Sequence, residues 1–220
     1  MELTPLQKKF LQKFFRTHLG EKFYLGAGTA LAAFYLHHRH SEDLDLFTLD
    51  QDLNFDEVNA EIQKIARQGS LALKHHVSTP TFLQFIFETP QSEALKVDII
   101  REIPVHFGEV KNFDGIMVDS LENIAVGKLL SIYGRFEGKD FVDLYFLIKE
   151  KGFDFDTLLG QVKKKYPGLN ELYLAGNIAD VKLLPALPEV LKPFEKEAFV
   201  EFFQDLSRKL FQKLKPEEGD

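Results

Sequence analysis

Two aspartates separated by one residue follow closely behind a turn of small residues, and this pairing constrains the chain more than any other feature. The turn reads GAGTAL (26–31), and the acidic segment reads RHSEDLDLF (39–47). A helix that begins at such a turn presents unpaired N–H groups that can hold a phosphate. On a strand, Asp43 and Asp45 point to the same face, as a shared divalent ion requires. The pattern therefore predicts a phosphate-binding turn beside a metal-binding carboxylate pair, the minimum for nucleotidyl or phosphoryl transfer.

A third carboxylate lies further along the chain, in the string LKVDII (95–100). Asp98 is flanked there by Val97 and Ile99, and a buried strand is an unusual place for a carboxylate without a partner. We expect Asp98 to complete a metal site with Asp43 and Asp45, or to act as the general base. Mg²⁺ suits this role because it prefers oxygen ligands and keeps waters that phosphate can replace, and Mn²⁺ is the second candidate.

Four residues around the acidic pair are candidates for phosphate binding. Gly28 lets the backbone approach a phosphate, and the Thr29 hydroxyl can donate to a phosphate oxygen. Arg39 and Ser41 could clamp phosphate or orient the carboxylates. The alternative for Gly28 and Thr29 is an ordinary strand-to-helix turn, and the alternative for Arg39 is a solvated loop residue. None of these residues, taken alone, excludes its alternative.

The bulk composition excludes several classes of protein. The 220 residues carry a net charge of −7, so overall charge does not make the chain a general polyanion binder. The absence of cysteine excludes disulfides, thiolate catalysis and cysteine-based zinc sites. No apolar run approaches the ~18 residues that suggest a membrane span, and we expect a cytoplasmic protein with no membrane partner.

The order of patterns along the chain predicts an α+β fold in two domains. Helical and strand patterns mix up to residue 119, whereas residues 120–220 are helical throughout. The predicted strands are 23–25, 44–47 and two runs around 82–87 and 95–100. The predicted helices are 5–19, 26–37, 54–67, 121–133, 139–149, one capped by Asp156, and 199–214. Thr4 and Asn54 are the predicted caps of the first and third of these, and Gly20 and Gly152 are predicted to end the first and fifth.

These residues together resemble the AbiEii/AbiGii-type toxin family of the nucleotidyltransferase superfamily. The family pattern has a GGTAL-like turn, an R-x-S-x-D-[IL]-D-[LF] segment and a third acidic strand. It ends in a helical K…R…(K/R)-D-x-x-D-L signature. Here Ala27 replaces the second glycine of the turn, whereas RHSEDLDLF and KVDII fit. The last element lies in residues 120–147.

The resemblance implies a role for the helical half of the chain. Lys128 would act in catalysis, and Lys128 and Arg135 would contact the nucleotide triphosphate. Lys139-Asp140 and Asp143-Leu144 would complete the signature, with Asp143 in the nucleotide-binding set. Residues 1–119 would then be a nucleotidyltransferase α/β core, and residues 120–220 a helical domain that completes the nucleotide site.

The resemblance also implies a biological context, that of a toxin in a toxin–antitoxin or phage-defence pair. The expected reaction is metal-dependent transfer of NMP from an NTP to an acceptor hydroxyl, most plausibly on tRNA or another RNA, with a cognate antitoxin as protein partner. Two alternatives stay open, namely a non-catalytic nucleotide-binding module and a kinase-like phosphoryl transfer. Basic runs at 163–165 and 208–215 are either RNA contacts or solvated helix faces.

Overall fold

The computed structural model describes residues 3–214 and separates into two compact units, 1–124 and 125–220. The first unit contains a seven-stranded sheet with helices, and the second unit is helical, which confirms the predicted α+β class. The assignment of 1–119 and 120–220 as functional domains stays a prediction.

The helices are α1 (Pro5–Phe14), α2 (Ala27–Ala30, continued by a π-helical segment Leu31–Leu36), α3 (Phe55–Gln68), α4 (Leu121–Gly134), α5 (Gly138–Lys151), α6 (Phe155–Lys165), α7 (Glu171–Ala179) and α8 (Lys196–Leu214).

The sheet of the first unit is mixed, with strand order β3-β4-β5-β2-β1-β7-β6. The pairs β2–β5 and β1–β7 are parallel, and the other neighbouring strands are antiparallel. The strands are β1 (Tyr24–Leu25), β2 (Leu44–Thr48), β3 (Ala72–Ser78), β4 (Phe82–Glu88), β5 (Ala94–Arg101), β6 (Lys111–Phe113) and β7 (Ile116–Val118).

Alternation along the central strands gives the sheet one buried face and one partly open face. Leu44 and Leu46 of β2 are buried, as are Phe85 of β4 and Val97 of β5. Because successive strand residues point to opposite faces, the residues between them lie on the other face. The predicted carboxylates at positions 45 and 98 belong to that partly open face, on which Asp98 itself is only 8% exposed.

The first helix is shorter than the sequence predicts. It begins at Pro5 with Thr4 as its cap, as expected, but it ends at Phe14 rather than near Leu19. The Thr17 hydroxyl donates to the Phe14 carbonyl oxygen at 2.7 Å and turns the chain. Gly20 then passes so close to Phe15 that a Cβ would lie within 2.8 Å of three backbone atoms, so this glycine serves a close contact, not a helix end.

The hairpin of β6 and β7 was not predicted, although its turn carries a recognisable signal. Asp114 and Gly115 both have positive φ, of 51° and 87°. Positive φ at both central residues is what a two-residue type I′ hairpin requires, and Asp-Gly is a preferred pair there. The short strands on either side, three residues each, are too brief to show an alternating pattern.

The second unit is built on helices whose caps are partly as predicted. Gly152 ends α5 with φ of 72°, as expected. The cap of α6 is Asp154, whose carboxylate accepts from the Thr157 N–H at 2.8 Å, so the prediction of Asp156 was wrong by two residues. The helix α7 was not predicted. Among residues 3–214, the structure contains no helix that is both long and apolar enough to cross a membrane.

Candidate active site

The small-residue turn brings β1 against the acidic strand. The Gly26 N–H donates to the Asp45 carbonyl oxygen at 2.9 Å. A Cβ on Gly28 would lie 2.6 Å from an Arg39 guanidinium nitrogen and 3.1 Å from the Ser41 hydroxyl. Arg39 is only 4% exposed and donates to the His40 carbonyl oxygen at 2.8 Å. A larger residue at position 28 would therefore displace the buried arginine, which packs directly on this backbone.

Thr29 connects this turn to the start of β2. Its side chain is fully buried, and its hydroxyl donates to the Asp43 carbonyl oxygen. Because a hydroxyl carries one hydrogen, the 2.9 Å contact with Ser41 has the Ser41 hydroxyl as the donor. In this structure both hydroxyls hold the acidic strand in place, and their contact with phosphate stays a prediction.

The three predicted carboxylates lie on neighbouring strands of the open face. Asp45 is paired in register with Asp98 across the parallel strands β2 and β5. Asp43 immediately precedes β2 and points to the same face as Asp45. On the far side of β5, Gln84 of β4 pairs with Asp98, and its side-chain N–H₂ group donates to Asp98 Oδ1 at 3.0 Å. The sequence reasoning missed Gln84, although a polar residue between Leu83 and Phe85 was visible in the alternation.

A lysine ammonium lies between two of these carboxylates. Lys96 Nζ is 3.1 Å from Asp43 Oδ2 and 3.0 Å from Asp98 Oδ2. Partial burial would lower the pKa of Lys96, but its hydrogen bonds to Asp98 and Asp43 outweigh that effect and raise the pKa above its usual value. Lys96 therefore stays charged and acts as a counter-ion to the carboxylates.

The donor set fits a hard divalent ion that arrives with its substrate. Within residues 3–214, no three histidine or carboxylate side chains gather closely enough to hold a metal ion by themselves. Mg²⁺ is commonly bound by one or two carboxylates together with substrate phosphates, not by an all-protein cage. Asp43 and Asp98 already share a cation in Lys96, and the oxygens that they offer are of the type that Mg²⁺ prefers.

A further buried carboxylate adjoins the turn, and the sequence reasoning did not identify it. Asp119 follows β7, and its N–H donates to the Leu25 carbonyl oxygen at 2.9 Å. Its carboxylate contacts His106 Nε2 at 2.8 Å and accepts from the Asn123 side chain at 2.9 Å. A Cβ on Gly26 would lie 3.5 Å from this carboxylate. Asp119 therefore ties the loop that carries His106 and the start of α4 to the turn.

In the second unit, the family's helical signature forms a buried ion-pair cluster. Lys128 Nζ lies 2.9 Å from Asp140 Oδ1 and 2.7 Å from Asp143 Oδ2. Arg135 donates to Asp140 at 2.7 and 3.1 Å. Burial would raise the pKa of Asp140, but Lys128 and Arg135 outweigh it and hold that pKa below its usual range.

The exposure of these side chains differs in a way that matters for their predicted roles. Lys128 is 4% exposed and both carboxylates are fully buried, whereas 46% of the Arg135 side chain is exposed. The contacts of Lys128 in this structure stabilise the packing of α4 against α5. Triphosphate binding by Lys128, Arg135 and Asp143 stays a prediction.

Part of each basic run is paired with carboxylates within the described residues. Lys163 pairs with Glu171, and Lys165 is buried. In the second run, Arg208 pairs with Asp205 and Lys213 pairs with Asp156, whereas residue 215 lies outside the described residues. These contacts favour solvated or structural lysines over an RNA-binding patch.

Proteins similar to this chain are found both by sequence and by fold. An uncharacterised protein of Aquifex aeolicus (strain VF5), aq_aa25, is 28% identical over 177 residues, covering 77% of this chain and 78% of the relative. The crystal structure of JHP933 from Helicobacter pylori superposes with a TM-score of 0.57 at 20% identity, covering 95% of this chain and 90% of that one. MenT4, a nucleotidyltransferase toxin of Mycobacterium tuberculosis H37Rv, gives a TM-score of 0.58 at 16% identity, covering 97% and 84%.

The structural neighbours establish the fold, and the family model establishes the family. The model of the nucleotidyl transferase AbiEii toxins of type IV toxin–antitoxin systems matches residues 9–217, nearly the whole chain. This match includes the turn, the acidic strands and the helical signature. The chain belongs to the AbiEii family of nucleotidyl transferase toxins and is a nucleotidyltransferase.

Proposed function

We propose that this nucleotidyltransferase moves an NMP from an NTP to an acceptor hydroxyl on RNA, tRNA being the foremost candidate, in a reaction that requires Mg²⁺. The observation that carries the proposal is the placement of Asp43, Asp45 and Asp98 on one open sheet face, beside the turn of Gly28. Mn²⁺ is the alternative ion for the same oxygens.

In the proposed reaction, the acceptor oxygen forms a bond to the α-phosphorus, and the bond from that phosphorus to the pyrophosphate oxygen breaks. Asp98 accepts the proton of the acceptor hydroxyl, and pyrophosphate leaves with the electron pair of the broken bond. Asp43, Asp45 and Asp98 would hold the divalent ion, which supplies neutralisation of phosphate charge and alignment of the phosphates. Gln84 holds Asp98 in its orientation through the 3.0 Å hydrogen bond.

The turn and the helical signature supply the proposed nucleotide contacts. At the turn, the backbone at Gly28 and the Arg39 guanidinium are proposed to hold the phosphates. The proposal includes Thr29 and Ser41, whose hydroxyls would have to exchange their present hydrogen bonds within the turn for a phosphate oxygen. In the second unit, Lys128, Arg135 and Asp143 are retained as proposed nucleotide contacts on the strength of the family motif. We also propose a cognate antitoxin as the protein partner, because the family consists of toxins of toxin–antitoxin systems.

The test is label transfer with pure protein. Each α-³²P-labelled NTP is incubated in turn with Mg²⁺ and total tRNA, and the RNA is resolved on a denaturing gel. We expect one NTP or a small set of NTPs to label RNA, and Asp43→Asn to abolish the signal. Asp52→Asn is the matched control, because Asp52 is an exposed aspartate shortly after β2. Absence of RNA labelling with every NTP would overturn the RNA acceptor.

The two alternatives are distinguished by two companion measurements, one with γ-³²P-labelled NTP and one by calorimetry. Transfer of label from the γ position instead of the α position would show a kinase-like reaction. Binding of NTP by calorimetry, without release of pyrophosphate, would show a nucleotide-binding module.

A further inference from the structure

We propose that Lys96 is a resident counter-ion that occupies the metal-binding position of this site until a nucleotide arrives. The inference rests on the proposed function, since it takes Asp43 and Asp98 as metal ligands. It gives a role to Lys96, to which the acidic motifs assign none, and it predicts the order in which metal and nucleotide bind.

The position of Lys96 follows from the register of the sheet. Lys96 and Asp98 are two residues apart on β5, so their side chains point to the same face. The pairing of Leu44 with Val97 places Asp43 beside Lys96 on the neighbouring strand. The ammonium therefore contacts Asp43 Oδ2 at 3.1 Å and Asp98 Oδ2 at 3.0 Å, and these contacts are consequences of the fold.

A divalent ion held jointly by Asp43 and Asp98, as proposed, would use the same two oxygens. The other oxygen of Asp98 already accepts the hydrogen bond from Gln84. A divalent ion and an ammonium within a few ångströms of each other repel strongly, so both cannot share these oxygens. Metal binding therefore requires the Lys96 ammonium to move away.

Packing encloses Lys96 only in part, which leaves its ammonium a path toward solvent. Its side chain is 32% exposed and ends in a flexible four-carbon stem. Nucleotide phosphates would give the ammonium a new partner and would give the metal additional oxygen ligands at the same time. The site should therefore bind metal weakly alone and well with nucleotide, which agrees with the absence of a three-ligand cluster in residues 3–214.

The experiment measures Mn²⁺ binding to the full chain by electron paramagnetic resonance, without nucleotide and without turnover. We expect Lys96→Met to bind Mn²⁺ about tenfold more tightly than the wild type, because one competing positive charge is removed. Lys96→Arg keeps the charge and should bind like the wild type. Lys74→Met is the matched control, since Lys74 pairs with Glu88 at 3.0 Å across β3 and β4, away from these carboxylates.

Two further measurements distinguish failure of the Lys96 proposal from failure of the proposed metal site. Asp43→Asn combined with Lys96→Met should lose the gain, and retention of the gain would overturn the proposal. Each NTP is added in turn to the wild type, and binding that Asp43→Asn abolishes reports the proposed metal site. If that binding is present but Lys96→Met shows no gain, the role of Lys96 alone is wrong. If no Asp43-dependent binding is found in any arm, the metal site and the role of Lys96 both fall. Circular dichroism melts confirm that each variant is folded.

Discussion

The Thr29 hydroxyl donates a hydrogen bond to the backbone carbonyl oxygen of Asp43, so a buried helix side chain positions the first carboxylate of the site. Thr29→Val keeps the shape but leaves a buried carbonyl oxygen without its donor. We expect a loss of about 1–3 kcal/mol in the free energy of unfolding, together with reduced nucleotidyl transfer. Urea denaturation measures the first effect. Thr29→Ser keeps the hydroxyl and should retain most of the stability, and equal stability of the valine variant would contradict the assignment.

Ala27 adopts a left-handed backbone conformation, with φ of 53°. This conformation destabilises the folded state by about 1–2 kcal/mol for an L-residue. Glycine avoids that strain, but its greater freedom in the unfolded chain offsets up to about 1 kcal/mol of the gain. We therefore expect Ala27→Gly to raise the free energy of unfolding by about 0.5 kcal/mol.

The matched control for this substitution lies in the same helix. Ala30 has ordinary helical angles, φ −58° and ψ −47°, so Ala30→Gly should destabilise by about 1 kcal/mol. Thermal melts of both variants check the pair. A destabilised Ala27→Gly variant would show that the turn does not store this strain.

The positive charge of Lys128 compensates the negative charges of two buried carboxylates. We therefore expect its removal to lower the stability of the fold, whatever its effect on catalysis. Lys128→Met leaves Asp143 without this cation and weakens the pairing of Asp140. We expect a loss of about 3 kcal/mol in the free energy of unfolding. Lys139→Met is the control, because Lys139 is exposed and its 2.9 Å pair with Glu137 should contribute about 0–1 kcal/mol.

The outcome also separates the two roles that Lys128 could have. Full stability with lost nucleotidyl transfer would show that the triphosphate contact predominates over the structural one. Unchanged stability and activity would contradict both roles. Activity is therefore to be measured at a temperature at which the variant is fully folded.

The lowered pKa of Asp140 predicts a loss of stability in acid. Because the folded-state pKa lies below the unfolded value of about 3.9, the contribution of this carboxylate is fully present above that pH. It is lost as the pH falls below about 4 and passes through the lowered folded-state pKa. Urea denaturation between pH 3 and pH 7 measures the effect. The stability gap between the wild type and Asp140→Asn should narrow at the acid end, and a constant gap would contradict the ionised state of Asp140.

The sequence predicts those features of the fold that local chemistry decides. Asn54 caps α3 by accepting from the Asp56 N–H at 2.9 Å, as its position before an amphipathic run indicated. The end of α1 was missed because it depends on Gly20 packing against Phe15, a contact that no local pattern of helix formers reveals. The assignment of Asp156 as a cap failed because Asp154 was an equally suitable residue two positions earlier.

In the candidate site too, residues recognisable from a local pattern were predicted, whereas residues brought together by the fold were not. The carboxylates were found because their spacing is a property of one strand. The partners Gln84 and Lys96 depend on how β4, β5 and β2 align, and Lys96 meets Asp43 across 53 residues of sequence. Asp119 was missed for this reason as well, since its neighbour Gly26 lies in the turn after β1, far away in the chain.

The register between β2 and β5 links correct folding to correct chemistry. A slip of one residue would turn Asp45 toward the core and expose Leu44 and Leu46 to water. Burying an unpaired carboxylate and exposing two leucines would each cost several kcal/mol. A sheet with a shifted register is therefore unstable, so the folded molecules all have their carboxylates in the same alignment. Burial of the hydrophobic face therefore also fixes the positions of the carboxylates on the opposite face.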